Sequence, residues 1–284
     1  MADTQRTRAE LVTLFADNTT NDISEQDLRD LLISTHLLTD LDQVVTVAKA
    51  GGNYTSIQDA IDSIEDAASD KIYTVLVYPG EYNESITLGN YIDIVAINPE
   101  NTKILQQVTD NGVECHCYLK ITIESASSRG IYIQHENSIV TLDGNVSSSA
   151  SVGSHSVDGI LIINGNVSSS ASGGAHCEGG NQTINGNVSS SVTSCAITDD
   201  GTLILKNGTI SSTYNSVNGH AIDHSGGTLI LQNCKILCTH ADAKSIYASS
   251  AKNVYCMNVW ANRDDHENIT QMISGGFNYD ANVQ

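Results

Sequence analysis

Asp143-Gly144-Asn145-Val146-Ser147-Ser148-Ser149 returns 21 residues later as Asn164-Gly165-Asn166-Val167-Ser168-Ser169-Ser170, and 21 later again as Asn185-Gly186-Asn187-Val188-Ser189-Ser190-Ser191. The phrase then loosens: Asn207-Gly208-Thr209-Ile210-Ser211-Ser212 follows after 22 residues, Asn233-Cys234-Lys235-Ile236 after 26 and Asn258-Val259-Trp260 after 25. Insertions fall between the units and not inside them. A period in the twenties signals a repeat architecture, and the content of each unit decides which.

Each unit offers short β-branched runs, among them Ile139-Val140-Thr141-Leu142, Ile160-Leu161-Ile162-Ile163, Leu203-Ile204-Leu205, Leu229-Ile230-Leu231 and Val254-Tyr255-Cys256. Gly, Ser, Asn and Asp separate the runs and suit turns. A unit this short that already holds two or three strands has no room for a helix. The repeat therefore predicts a solenoid of parallel strands, with Val146, Val167, Val188, Ile210 and Ile236 in one interior column. Asp143, Asn164, Asn185, Asn207, Asn233 and Asn258 form a second column at a corner, where stacked carboxamides hydrogen-bond along a ladder. As rungs and turn formers these residues have a structural job.

A chain of 284 residues suffices for one solenoid body and a small appendage. Aromatic residues make up 5% and prolines number 2, which suits narrow coils. The net charge of -20, from 13 Lys and Arg against 33 Asp and Glu, argues against nucleic acid and anionic membranes as partners. No long apolar run suggests membrane insertion. The 7 cysteines, Cys115, Cys117, Cys177, Cys195, Cys234, Cys238 and Cys256, come without a secretory segment at the start, so reduced and mostly buried thiols are expected.

Ahead of the repeats, Thr7-Arg8-Ala9-Glu10 is a capping box leading to Leu11, Leu14 and Phe15, and Ser24 opens a second helix with Leu28, Leu31 and Leu32 on one face. Two short amphipathic helices of this kind need a partner. The phrases Thr7 to Leu11, Leu14 to Thr20 and Asp22 to Asp30 resemble an N-terminal module of tailed-bacteriophage virion proteins, tail fibres and spikes in particular. The resemblance implies a virion protein, assembled in the host cytoplasm, that docks onto other virion proteins through these helices. It also implies a parallel homotrimer.

Tyr54-Thr55-Ser56-Ile57-Gln58-Asp59-Ala60-Ile61, with Thr55 and Gln58 as a capping box and Ile57, Ala60, Ile61 and Ile64 as an apolar stripe, predicts a helix over about 55–65. Together with Val77-Tyr78-Pro79-Gly80-Glu81-Tyr82 it resembles the opening of the pectin-lyase-like right-handed β-helix superfamily, pectin methylesterases especially. The resemblance implies a helix that caps the first coil and protects the open end of the stack. The expected organisation is an attachment segment over 1–45, a single-stranded right-handed parallel β-helix over 46–262, and a C-terminal cap or inter-subunit segment over 263–284, where Phe277 and Tyr279 close the last coil or pack between subunits.

The catalytic phrases of pectin methylesterases are not found in this chain, and Ser-rich repeats stand in their place. Lys120, Arg129, Lys206 and Lys235 are lyase bases by residue type only. A glycosidase needs two carboxyls flanking the bond, and Asp158, Glu178, Asp199, Asp200 and Asp223 are candidates, though Asp158 and Asp200 precede glycine as turn residues do. His155 and His176, 21 residues apart, should stack, with His135 extending the column; beside Asp158 and Glu178 they are candidate metal ligands. Against that stands the absence of a recognised ligand spacing, and no cofactor is expected. Cys115-His116-Cys117 reads as two inward thiols around an outward imidazole. The leading reading is a phage structural projection serving assembly, decoration or adhesion to a host glycan; the alternative is a polysaccharide-degrading tailspike enzyme.

Overall fold

The computed structural model describes residues 43–214, 220–239, 244–262, 266–273 and 277–279. The proposed attachment residues Leu11, Leu14, Phe15, Leu28, Leu31 and Leu32 lie outside them. The solenoid belongs to the compact unit Thr46–Gln284, and only that unit is described below.

Three strands per coil repeat along the chain, and every strand pairs in parallel with its counterpart one coil on. The result is a mainly β, right-handed parallel β-helix of about eight turns. The first face starts with Tyr73–Val77 and Ile92–Ala96 and continues through Ile139–Asp143, Ile160–Asn164, Asn181–Asn185, Thr202–Lys206 and Thr228–Gln232. The second face carries the short repeat strands Val146–Ser148, Val167–Ser169 and Val188–Ser190, then Thr209–Ser212, Lys235–Cys238 and Val259–Ala261. The third face carries Ile131–Ile133, Ser154–Ser156, Ala175–Cys177, Ala196–Thr198 and Ile222–His224. Beyond the last repeat, His266–Ile273 and Phe277–Tyr279 go on pairing in parallel, so the stack runs into the segment that the sequence sets apart.

Registers follow the repeat. Val146, Val167, Val188, Ile210 and Ile236 are successive Cα partners and all are buried, which is the expected interior column. The second serine of each Val-Ser-Ser triplet also points inward. Ser148 Oγ donates to the Ser128 carbonyl at 2.6 Å, Ser169 Oγ to Ser151 at 2.6 Å and Ser190 Oγ to Ser172 at 2.6 Å. The same hydroxyls accept from backbone N–H groups two and three residues on, so each ties down the loop that turns towards the third face. Opposite the valines, the third face offers Ser154, Ala175 and Ala196, small enough for a narrow cross-section. Gln182 replaces an apolar residue between Leu161 and Leu203, and its amide nitrogen donates to Ser154 Oγ at 2.6 Å.

The capping helix runs over Ile57–Asp62, shorter than expected, with Ile57, Ala60 and Ile61 buried against the first coil. Its start differs from the expected Thr55–Gln58 box. Ser56 is the N-cap, accepting from Asp59 N at 3.1 Å, and Glu84 accepts from the N–H groups of Ile57 and Gln58 at 2.9 and 3.1 Å. A carboxylate from the first coil thus satisfies donors that a local box would have served. Gln58 instead reaches sideways, donating to Asp62 and accepting from Thr87 N.

All seven cysteines are buried thiols. Cys115 and Cys117 face inward with sulfurs 2.9 Å apart, while His116 points out to the Asn137 carbonyl. Burial raises the thiols of Cys177 and Cys256 to about 12, and those of Cys195 and Cys234 also lie above their ordinary value. Native protein at pH 8 is therefore expected to leave a thiol-reactive disulfide reagent unconsumed, whereas unfolding in guanidinium releases seven equivalents. A thiol reacting within seconds in the native state would contradict this packing.

Candidate functional site

Two polar features run along the coils: the corner between the first and second faces, and the outer surface of the third face. At the corner the six residues hydrogen-bond from coil to coil in two runs, Asp143 with Asn164 and Asn185 through Asn258. Asn164 donates to Asp143 at 2.7 Å, Asn207 to Asn185 at 2.9 Å, Asn233 to Asn207 at 3.0 Å and Asn258 to Asn233 at 3.1 Å. Asp143 also accepts from Tyr118 Oη at 2.6 Å, and the hydrogen bonds from Tyr118 and Asn164 hold its carboxyl below the usual range. Asn207, Asn233 and Asn258 adopt φ of 54°, 52° and 54°, the left-handed region that asparagine tolerates. The second asparagine of the repeat builds a parallel rail that the sequence reading missed. Asn145, Asn166 and Asn187 each accept from a backbone N–H of the next coil, at 2.9, 3.0 and 2.7 Å.

On the third face, Tyr132, His155, His176, Ile197 and Asp223 are successive register partners. The rings of His155 and His176 stack at 4.5 Å with 4° between their planes, and Tyr132 lies over His155 at 5.0 Å. Tyr132, and not His135, extends the column. His135 lies past the end of its strand, where its N–H donates to Asp110, because this coil is longer than the repeat and the counting offset fails.

Each imidazole reaches one coil forward to a carboxylate. His155 Nε2 lies 3.2 Å from Glu178 Oε2, and His176 Nε2 lies 2.8 Å from Asp199 Oδ2. Arg129 stacks on Tyr132 at 4.2 Å and donates from Nε to His155 Nδ1 at 3.0 Å, which fixes the proton of His155 on Nε2. Burial, then the neighbouring His176 and Arg129, pushes the pKa of His155 down to about 3. Asp199 also accepts from Ser225 Oγ at 2.6 Å; this bond and the one from His176 outweigh burial and keep its carboxyl low. Asp223 is raised, by burial and by the charge of Asp199.

Of the five carboxyl candidates, the fold thus gathers Glu178, Asp199 and Asp223 on the third face. Asp158 and Asp200 are exposed at the turn into the next coil, as glycine-preceding turn residues. The two candidate metal ligands are side by side, yet both nitrogens of His155 and Nε2 of His176 are engaged with protein groups. Among the described residues no group of three or more His, Cys, Asp or Glu is placed to hold a metal ion. Arg129 serves His155 and is not a bare base. The strip is a set of neutral or compensated pairs, suited to holding coils in register. The roles of Arg129, Tyr132 and Asp199 follow from coil lengths that only the structure reveals.

Comparison with solved structures finds pectin methylesterases. PemA from Erwinia chrysanthemi matches with a TM-score of 0.45 and 13% identity over 78% of each chain. Two pectin methylesterase complexes with hexasaccharides, one of them of a mutant enzyme, match with the same score and identity over 76% of this chain and 78% of theirs. No family model and no curated protein matches the sequence. The likeness is one of fold, and the description of the solenoid rests on its own strand registers.

Proposed function

We propose that this chain is a structural protein of a bacteriophage particle: a rigid β-helical projection, built as a parallel homotrimer and docked through its N-terminal helices. The observation that carries the reading is the outer surface of the first face. Thr141, Ile162, Thr183, Ile204, Ile230 and Tyr255 are successive register partners along one outward column. Ile139, Ile160, Asn181, Thr202 and Thr228 form the column beside it. Ile139 is 42% exposed, Tyr255 40% and the nearby Met257 57%.

No carboxylate or cationic side chain interrupts these two columns. On a chain of net charge -20, copies repel one another over most of their surface, so an uncharged apolar strip is where identical copies can meet. Successive coils offer uncharged, mostly β-branched outward residues, so parallel copies of the rod can meet along this face without a buried charge. The resemblance of the first residues to phage virion modules supplies the particle context. A polysaccharide-degrading role has less support, because Glu178 and Asp199 are already held by imidazoles.

Light scattering of the intact chain should give about three times the 30.2 kDa protomer mass. The double variant Ile162→Asp/Ile204→Asp should run as a monomer with an unchanged β-sheet circular dichroism spectrum. Wild-type protein that stays monomeric at micromolar concentration, or a double variant that stays trimeric, would sink the proposal.

A further inference from the structure

The asparagine corner continues into a groove of about 490 Å³ lined by Asn187, Asn207, Thr209, Asn233, Lys235, Asn258 and Trp260. We infer that this groove binds an extended, uncharged oligosaccharide, with the amide ladder reading hydroxyl groups and Trp260 forming the platform for a pyranose ring. The inference concerns the second face and its corner, so it stands apart from assembly through the first face.

A carboxamide has two N–H donors and two acceptor lone pairs. Asn233 spends one donor on Asn207 at 3.0 Å and one acceptor position on Asn258 at 3.1 Å, and Asn207 is used likewise between Asn185 and Asn233. Both amides are exposed, so the remaining donor and lone pair are turned to solvent. They recur once per coil, about 4.8 Å apart, a spacing close to the rise of one sugar in an extended β-1,4 glycan. A row of fixed, alternating donors and acceptors is complementary to a row of hydroxyls, and the ladder orders it before the ligand arrives.

Trp260 supplies the apolar element. It is 42% exposed and lies one coil beyond Lys235 in the same outward register. An indole face packs against the C–H face of a pyranose and leaves the hydroxyls to the amides. The groove lining contains no carboxylate and one ammonium. A polyanionic glycan would approach a molecule of net charge -20, so the ligand class is neutral.

Trp260 is the sole tryptophan, so indole fluorescence, excited selectively over the tyrosines, reports on this groove alone. Titration with cellohexaose and with chitohexaose to millimolar concentration should give a saturable shift with at least one of them. Asn233→Gly removes the amide but keeps the backbone conformation, since glycine tolerates a φ of 52°; it should weaken binding about tenfold with the melting temperature held. Trp260→Ala, followed by calorimetry, should abolish it. No saturable shift with either glycan overturns the inference, as does undiminished binding in both variants. Binding of hexagalacturonate with neither neutral glycan bound would overturn the assignment of ligand class. The oligomer mass of the same samples tells whether the assembly reading fails separately.

Discussion

Gly165→Ala is expected to unfold the middle of the solenoid at temperatures the wild type tolerates. A Cβ at this position would stand 2.0 Å from the carbonyl oxygen of Gly144 and 2.7 Å from its carbonyl carbon, both backbone atoms that no rotamer change can move. The same contact repeats one coil on, at 2.2 Å from Gly186 to the Gly165 oxygen, and again at 1.9 Å from Gly208 to Gly186. To admit one methyl group the coils must part at the corner, which breaks the bond from Asn166 N to Asn145 Oδ1 at 2.9 Å and strains the ladders on either side. We expect a loss of about 4 kcal/mol or more, a drop of roughly 10 °C in midpoint for a body of this size. Gly112→Ala is the control: its φ is +73° but nothing lies within 4 Å of the added carbon, so only backbone strain of about 1 kcal/mol applies. Equal melting temperatures for the two variants would show that the corner can relax, and the close-stacking account would fail.

That contrast also explains what a reader of the sequence can and cannot see. The solenoid and its interior valine column are legible because the repeat keeps a constant length across Asp143, Asn164 and Asn185, so equal spacing means equal position. The asparagine ladder is legible for the same reason, and because few residues other than asparagine are content both at a corner and in a stack. The glycine that follows it reads as a turn former. Its main duty, close approach between coils, depends on the distance to a backbone atom in another coil, which spacing alone does not give.

The third face was less legible because coil length varies ahead of it. His155 and His176 share a repeat length and stack as expected, whereas counting backward from Asp143 selects His135 in place of Tyr132. The carboxylate partners were hidden for a related reason: each imidazole reaches into the following coil, so Glu178 serves His155 and Asp199 serves His176. The first-face stripe was open to inspection, since alternation assigns Ile162, Ile204 and Ile230 outward once Leu161, Leu203 and Leu229 are inward. Its continuity emerges only when the registers are laid side by side.

The imidazole stack carries the second large expected effect, a loss of stability on mild acidification. His155 is 5% exposed and held between Tyr132 and His176, with Arg129, Glu178, Asp199 and Asp223 as the charged groups around the pair. Its pKa of about 3 in the folded chain stands against about 6.5 when unfolded. Between those values the unfolded chain binds one more proton than the native one, so stability is full above about 6.5 and falls as pH drops towards 3, by an amount on the order of 4 kcal/mol. Asp143 and Asp199, both held low, withdraw their contribution only below about pH 4, and Asp223, held high, gains stability on acidification and opposes the trend. The interval from about pH 4 to 6.5 is thus the one in which His155 withdraws its contribution. His155→Gln, which stays neutral throughout, should flatten the dependence of melting temperature on pH in that interval, and the His155 ring proton signal of the wild type should not titrate above pH 4. Parallel profiles for wild type and variant would mean that the buried imidazole takes up its proton without cost, and that the stack does not hold it neutral.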